Sequence, residues 1–250
     1  MLLAAVEYAR PGTVDEAIRL LGTSANARPL AGGQTLINVM KARAAQPDLL
    51  VDLADLEELR GVSLKSGDLV IGAMTTYADL MASREINRER PVIARVASEI
   101  ADVQVRNRGT IGGNVCLSDP TNHFPPLMVA MNAQMRISGQ DGERTVSAED
   151  FFLGVYMTAV QPGELLTKIT IPPSAGDGFA SVTIGREGTC IVNAAATRNG
   201  EMRFAIGCVA AVPVTSLENL DPPSDVHGSA DYRRHLAKVL VERAVAEAAA

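Results

Sequence analysis

The sequence predicts an α+β fold built largely from antiparallel strands. Two pairs of short apolar segments flank polar turns at residues 65–68 and 139–142, and each pair is typical of a β-hairpin. Asn199-Gly200 lies between two further apolar segments and is the strongest hairpin signal in the chain. Helical patterns are mixed with these hairpins, and no Gly-x-Gly-x-x-Gly closes a βαβ unit. We therefore expect layers of helices and sheets, and not a doubly wound parallel sheet.

Capping residues and turns define the individual elements. Thr13 can cap a helix over residues 14–21, with Gly22 as its left-handed stop. Thr75 or Thr76 can cap a later helix in the same way. The expected strands lie at 28–30, 49–53, 62–64, 69–71, 135–137, 144–146, 166–171, 179–184, 191–198 and 202–209, and the expected helices at 14–21, 36–40, 77–82, 91–100, 125–131 and 236–244.

A stretch rich in Pro, Gly and Ser at residues 172–178 indicates a domain boundary. We predict a first domain over residues 1–172, with subdomains at about 1–55 and 56–172, and a C-terminal domain over residues 179–250. The C-terminal domain is expected to contain a three-stranded antiparallel sheet with helices.

Composition excludes several classes of protein. Of the 250 residues, 47% are hydrophobic and 21% charged, which is typical of a folded globular chain. The net charge is −6 without a dense Lys/Arg run, so we expect no nucleic-acid partner. No apolar run is long enough to span a bilayer, and the first residues lack the basic region of a signal peptide. Cys116, Cys190 and Cys208 are dispersed, which favours a reducing, cytoplasmic compartment and predicts no metal or iron–sulfur site in this chain.

Two glycine-bearing segments, at residues 30–36 and 106–114, are the strongest functional signal. A Gly-Gly pair allows positive φ and brings bare backbone amides close to a ligand, where successive amides bind an anion. Polar side chains flank both pairs, while Arg106 and Arg108 either add positive charge or are solvated. Two such surfaces predict one large ligand with a diphosphate, held from both sides. The residues concerned are Leu30, Ala31, Gly32, Gly33, Gln34, Thr35 and Leu36 in the first segment, and Thr110, Ile111, Gly112, Gly113 and Asn114 in the second.

No catalytic pair of side chains is visible in the sequence. The chain has no Gly-x-Ser-x-Gly motif, its acidic residues are scattered, and its three histidines lack metal-ligand spacing. We therefore expect no catalytic residue in this chain, and chemistry that belongs to a bound cofactor.

The two glycine segments resemble those of the FAD-binding medium subunits of the molybdenum hydroxylases. This is the family of carbon monoxide dehydrogenase medium chains and xanthine dehydrogenase FAD domains. The likeness covers nearly the whole chain. Its further matches are Gln104-Val105-Arg106-Asn107-Arg108, Asp119-Pro120, Asp150-Phe151-Phe152, Gly163-Glu164-Leu165-Leu166 and the tail at residues 224–234.

The resemblance implies a two-subdomain fold of the PCMH type, with FAD extended between the subdomains. Segments 30–36 and 110–114 would hold the diphosphate and ribityl chain, and Ala101, Leu165 and Leu166 would line the isoalloxazine. It also implies two partner chains, a molybdopterin-binding large subunit and an iron–sulfur small subunit, in a dimer of heterotrimers. Electrons would pass from the iron–sulfur clusters to the flavin, and from the flavin to an external acceptor.

Three departures from the family pattern concern the flavin surroundings and the C-terminal domain. His123 stands nine residues after Asn114, where the family usually has an Asp that touches the ribityl region. Cys190 ends the segment Arg186-Glu187-Gly188-Thr189-Cys190, where an aromatic ring commonly covers the flavin. We therefore expect Cys190 close to the isoalloxazine. Residues 212–220 stand where the family has a longer helical segment, which predicts a shortened C-terminal domain.

Two other functions remain open from the sequence. A self-sufficient FAD-dependent oxidoreductase would need its own polar substrate pocket and a general acid, and the sequence shows neither. A non-catalytic nucleotide-binding assembly module is the second alternative, and it would show no flavin absorbance.

Overall fold

The computed structural model describes residues 2–185 and 188–250. The helices in this part of the chain are α1 (Val14–Leu21), α2 (Leu36–Lys41), α3 (Tyr77–Ala82), α4 (Arg84–Glu89), α5 (Pro91–Ser98), α6 (Val103–Arg106), α7 (Ile111–Leu117), α8 (Phe124–Ala130), α9 (Ala148–Phe151) and α10 (Ala230–Ala249). The strands are β1 (Glu7–Ala9), β2 (Arg28–Leu30), β3 (Leu49–Asp52), β4 (Val62–Lys65), β5 (Asp68–Gly72), β6 (Gln134–Gly139), β7 (Gly142–Ser147), β8 (Phe152–Gly154), β9 (Met157–Thr158), β10 (Leu165–Ile171), β11 (Gly176–Thr183), β12 (Cys190–Asn199) and β13 (Glu201–Gly207).

A small parallel sheet, in the order β1-β3-β2, forms the first layer of the molecule. Helix α1 covers this sheet because Ala17 and Ile18 lie about one turn before Leu21 on the same face of the helix. These three side chains pack against β3. Thr13 caps this helix as predicted, since its hydroxyl accepts a hydrogen bond of 3.2 Å from the Glu16 amide.

The prediction of a left-handed stop at Gly22 is wrong. Gly22 has φ −77° and ψ −8°, which is ordinary right-handed backbone. The Leu20 carbonyl is satisfied by the Thr23 amide and by the Thr23 hydroxyl at 2.7 Å, so no left-handed residue is needed to end the helix. A Cβ here would meet chiefly the end of the exposed Gln140 side chain, which can move, so close packing does not require glycine at this position either.

A five-stranded antiparallel sheet in the order β4-β5-β10-β6-β7 forms the second layer. Helices α3, α5, α7 and α8 bury their apolar faces in one large core with this sheet. Thr76, and not Thr75, caps α3, and it forms a capping box with Asp79. The sequence did not predict α4, α6, α9 or the β8–β9 hairpin, because each is short and has no clear periodicity.

The C-terminal domain contains the predicted three-stranded antiparallel sheet, in the order β11-β12-β13. Asn199-Gly200 makes the predicted hairpin, and Gly200 takes the positive φ of 74° that this turn requires. One face of the sheet packs on α10, while Ala195 and Ala205 on the other face join the large core. The predicted α+β class is therefore confirmed, with a parallel first sheet that the sequence did not reveal.

A buried ion pair joins the C-terminal sheet to the preceding helices. Arg90, between α4 and α5, contacts Asp177 on β11 at 2.6 Å and 2.8 Å in a bidentate arrangement. The two side chains are 2% and 6% exposed. Strand β11 begins three residues earlier than expected. Asp177 therefore belongs to this strand, although it lies within the stretch 172–178 that the sequence marks as a boundary. The division at residue 172 stays a prediction.

Residues 208–229, between β13 and α10, contain no helix in the described structure. They include residues 212–220, where the sequence predicts a shortened segment. Among all described residues, no helix is long and apolar enough to cross a bilayer.

Candidate functional site

The two glycine segments lie against each other on the surface between the first and second sheets. A Cβ at Gly32 would lie 2.7 Å from the Arg108 carbonyl carbon and 2.9 Å from the Gly109 Cα. A Cβ at Gly113 would lie 3.9 Å from the Ala31 Cβ. Glycine at position 32 therefore allows the two backbones to touch. The two segments that the sequence predicts to hold one ligand are thus neighbours in the folded chain.

The first segment offers a run of free backbone amides. Leu30 ends β2, and Gly33 turns the chain with φ 72° before α2 begins. Across the described structure, the amides of residues 32–36 donate no hydrogen bond to a protein acceptor. Thr35 stands at the N-cap of α2, but its hydroxyl makes no capping bond there. The Gln34 side chain instead donates to the Gly32 carbonyl at 3.2 Å and stiffens the turn.

The second segment is not a glycine turn, which corrects that part of the prediction. Thr110 caps α7, and Gly112 and Gly113 form the first turn of this helix with negative φ. The amides of residues 111–114 are all bound within the protein, by the Thr75 and Ala73 carbonyls and by the Thr110 hydroxyl and carbonyl. Gly112 is needed because the Ala73 backbone lies against it. Of the two segments, the first therefore offers the run of successive free amides that binds an anion.

Asn114 contributes an unpaired acceptor to the same site. Its side chain is 8% exposed, and its Nδ2 donates to the Tyr77 hydroxyl at 3.0 Å. In the described part of the protein, no donor reaches its buried Oδ1. A buried acceptor without a donor is unfavourable unless a ligand supplies one. This atom is an observation that favours a bound ligand with a hydroxyl or N–H group.

Tyr77 supports Asn114 and is a residue that the sequence did not indicate. Burial raises the pKa of its phenol to about 12, and the hydrogen bond with Asn114 opposes this shift. The ring is also stacked on Phe124, with centroids 5.9 Å apart. Only the apolar periodicity of α3 would have marked Tyr77, and that pattern predicts a core residue rather than a polar partner.

The raised pKa of Tyr77 predicts a loss of stability at high pH. The folded chain keeps the phenolic proton up to about pH 12, while the unfolded chain loses it near its ordinary pKa of about 10. The free energy of unfolding should therefore fall by roughly 2–3 kcal/mol more in the wild type than in Tyr77→Phe between about pH 9 and pH 12. Urea unfolding at several pH values measures this difference.

At neutral pH the same substitution should lower the free energy of unfolding by only about 0.5–1.5 kcal/mol, because a single neutral hydrogen bond is lost. Equal alkaline slopes for the wild type and Tyr77→Phe would show that the phenol is not held in its neutral form.

His123 is buried beside the C-terminal sheet. Its Nδ1 lies 3.1 Å from Asn193 Nδ2, and its ring is tilted on Phe179 with centroids 5.4 Å apart. Asn122 links this region to the glycine site, since its Nδ2 lies 3.3 Å from the Asn114 carbonyl and its own carbonyl lies 3.2 Å from Asn193 Nδ2. His123 is therefore linked to Asn114 by three hydrogen bonds, through Asn193 and Asn122.

Cys190 lies in the cluster around His123, because both contact Asn193. Its position close to the isoalloxazine stays a prediction. Arg186 and Glu187, which begin the same family segment, lie outside the described residues.

Ala101 lies in a strained loop held by Arg106. It has φ 42°, and the Arg106 guanidinium donates to the carbonyls of Ile100 and Ala101. Arg106 is therefore bound within the chain, and Arg108 is exposed. The side chains of Leu165 and Leu166 lie in two different cores, Leu165 in that of the first sheet and Leu166 in that of the second. Contact of Ala101, Leu165 and Leu166 with the isoalloxazine stays a prediction.

Within the described residues, no group of three or more His, Cys, Asp or Glu side chains is arranged to hold a metal ion. The donor set of the site consists of backbone amides, one hydroxyl and one amide oxygen. Such neutral donors and acceptors suit a large organic phosphate and not a metal.

The comparison with protein families agrees with this arrangement. A family described as the FAD binding domain in molybdopterin dehydrogenase matches residues 4–174, which include both glycine segments. The chain belongs to this family. FAD is therefore its cofactor, as predicted, and the chain is a flavoprotein subunit of the molybdenum-containing dehydrogenases and hydroxylases.

Relatives match over the whole chain. The carbon monoxide dehydrogenase medium chain of Afipia carboxidovorans is 37% identical, and the alignment covers 100% of this chain and 99% of the relative. The nicotine 6-hydroxylase medium subunit of Paenarthrobacter nicotinovorans is 32% identical, with coverage of 100% and 99%.

Solved structures show the same fold. A chain of carbon monoxide dehydrogenase from Hydrogenophaga pseudoflava superposes with a TM-score of 0.94 at 34% identity, over 99% of this chain and 98% of that chain. A chain of quinoline 2-oxidoreductase from Pseudomonas putida 86 gives 0.93 at 32% identity, over 100% and 98%.

The alignment with the carbon monoxide dehydrogenase medium chain of Afipia carboxidovorans is longer than this chain. It extends over 284 positions, whereas this chain has 250 residues, so at least 34 positions contain no residue of this chain. A shortened segment at residues 212–220 would account for part of this difference, and it stays a prediction.

Proposed function

We propose that this chain takes electrons from iron–sulfur clusters on a partner chain and passes them from its FAD to an external acceptor, within a heterotrimeric molybdenum hydroxylase. The observation that carries the proposal is the junction of the two glycine segments in the family's FAD-binding domain. This junction combines free amides at residues 32–36 with the unpaired Oδ1 of Asn114.

The chain's own residues have distinct roles in this proposal. The free amides of the first segment and the Thr35 hydroxyl bind the diphosphate, because successive N–H groups form a concave anion site. Asn114 Oδ1 accepts a hydrogen bond from the ribityl chain or the ring. Helix α7 positions Asn114 and presents the exposed Cα of Gly113 to the ligand. FAD supplies the ability to accept and release electrons, and no side chain of the site is needed as a proton-transfer catalyst.

Two partner chains complete the proposal. The relatives are named as medium chains or subunits, which fits a complex with a molybdopterin-binding large subunit and an iron–sulfur small subunit. We propose a dimer of such heterotrimers. We further propose that the C-terminal domain, from Phe179 onward, contributes to the interface at which the flavin meets a cluster.

The test of this function uses the purified single chain with FAD. Dithionite-reduced protein should reoxidise with oxygen or a dye, because the flavin alone exchanges electrons. Carbon monoxide, nicotine and quinoline, taken from the names of the relatives, should not reduce the flavin in the single chain. Addition of molybdopterin-binding and iron–sulfur subunits purified from the native host should make reduction substrate-dependent.

The alternatives give different results in the same experiment. Rapid flavin reduction by an organic substrate in the single chain would favour the self-sufficient oxidoreductase. A protein that neither retains nor rebinds FAD would favour the assembly module.

A further inference from the structure

Two of the three cysteines contact the same buried side chain, that of Asn193. Asn193 Nδ2 is 3.4 Å from Cys190 Sγ and 3.7 Å from Cys208 Sγ, and it also lies 3.1 Å from His123 Nδ1. The two sulfurs are therefore at most about 7 Å apart. Cys190 and Cys208 are 3% and 5% exposed. We call these two cysteines with Asn193 and His123 the thiol cluster.

Two local irregularities of the sheet bring the thiols together. Val182 pairs with Val192 and Thr183 with Cys190, so Ile191 is an extra residue in β12. This bulge turns Cys190 to the face that carries Asn193, away from α10. Cys208 has a left-handed backbone with φ 67°, which redirects its side chain after the end of β13.

The hydrogen bonds within the cluster make the two thiols unequal. The hydrogen bond from Cys208 is the largest influence that lowers the pKa of Cys190, and His123 and Asn193 act in the same direction. The same pairing, together with burial, raises the pKa of Cys208. The two thiols therefore differ in pKa, and the pKa of Cys190 is the lower of the two. A thiolate is the nucleophilic form of cysteine.

Cys116 provides an internal comparison. Its exposure is intermediate, and desolvation of its sulfur raises its pKa to about 12. No hydrogen bond to its sulfur occurs among the described residues, whereas Cys190 has three polar neighbours. The chain thus contains one activated thiol and one inert thiol in the same fold.

We propose that Cys190 and Cys208 form a site of oxidation by hydrogen peroxide, which converts them into an intramolecular disulfide. The Cys190 thiolate attacks one peroxide oxygen, an S–O bond forms, the O–O bond breaks, and the departing hydroxide takes a proton to leave as water. The Cys208 sulfur then attacks the Cys190 sulfur, the S–S bond forms, the S–O bond breaks, and a second water leaves. Overall two thiols are oxidised and one peroxide is reduced to two waters.

The surroundings of the cluster select a small oxidant. A cavity of about 10 Å³ beside Cys208 is enclosed by residues of the α7–α8 connection and of the segment after β13. This volume holds about one water molecule, so a bulky disulfide reagent does not fit. Hydrogen peroxide has only two heavy atoms and is as polar as water, so it is among the smallest oxidants that could reach the thiols. The exposed residues Gly188 and Thr189 precede Cys190 and place it near the solvent boundary.

In the experiment, the 250-residue chain with bound FAD is treated with a small excess of hydrogen peroxide. Its free thiols are then counted after denaturation. The wild type should fall from three thiols to one, and its mass should decrease by roughly 2 Da. Mass spectrometry of a protease digest made without reductant should show the Cys190 peptide linked to the Cys208 peptide. None of these readouts depends on electron transfer, so they remain valid if the proposed function fails.

Variants separate the roles of the three thiols. Cys116→Ser should still lose two thiols, and Cys190→Ser should keep both remaining thiols at the same dose. Cys208→Ser should lose one thiol and gain roughly 16 Da as a sulfenic acid that a dimedone reagent traps. Cys190 should react at least about 100-fold faster than Cys116. Similar rates at Cys116 and Cys190, or a wild type without the linked peptides, would overturn the proposal.

Discussion

Replacement of Gly113 by valine is expected to abolish FAD binding in a chain that still folds. Gly113 is exposed on the first turn of α7 and faces Ala31 of the first glycine segment, so a branched side chain would fill the space between the segments. We expect the dissociation constant for FAD to rise at least about 100-fold, which corresponds to roughly 2.7 kcal/mol. Flavin absorbance after gel filtration and fluorescence titration with free FAD measure the effect.

The fold should tolerate this change because the Gly113 amide is already bound by Thr110 and its Cα faces solvent. A Cβ would lie 3.0 Å from the Thr110 hydroxyl, which can shift by a few tenths of an ångström. Gln104→Val, at an exposed position of α6, is the matched control and should retain FAD. Unchanged FAD affinity in a folded Gly113→Val protein would contradict the assignment of this surface to the cofactor.

Replacement of Arg90 by alanine is expected to give the largest loss of stability. The Asp177 carboxylate would stay buried without its cation, and removal of one partner from a buried pair lowers the free energy of unfolding by about 3–5 kcal/mol. The Pro172 carbonyl would also lose the donor that Arg90 provides. Urea denaturation of both proteins at neutral pH measures this difference.

Two controls locate the effect in the buried pair. Arg88 forms an ion pair with Glu89 in which the side chains are 69% and 41% exposed, so Arg88→Ala should change stability by less than about 1 kcal/mol. The double variant Arg90→Met, Asp177→Leu should be more stable than Arg90→Ala, because no unpaired charge stays buried. A loss below about 1 kcal/mol for Arg90→Ala would show that Asp177 finds water or another partner.

Local signals were sufficient for most elements and for the cofactor. Thr13, Asn199 and Gly200 act through short-range hydrogen bonds and backbone angles, which their nearest neighbours determine. The family pattern around residues 30–36 and 110–114 predicted FAD, and the family comparison confirms it. These features could be predicted from the sequence because they do not depend on where distant segments pack.

Other features depend on residues far apart in the chain. The amides of Ile111 and Gly112 in α7 are bound by the carbonyls of Thr75 and Ala73, so the run of free donors lies in the first glycine segment. Arg90 is held by Asp177, which lies 87 residues later in the chain. Neither partner is visible in the local sequence around the residue concerned.

The sequence by itself determined the fold class, the two glycine segments and the family with its FAD. Only the tertiary structure decided which amides remain free, that Asn114 keeps an unpaired acceptor, and that Arg90 reaches Asp177. It also decided that a bulge at Ile191 and a left-handed Cys208 bring two thiols to Asn193. The physical reason is that hydrogen-bond partners, burial and register are set by the packing of remote segments, whereas caps and turns are set by adjacent residues.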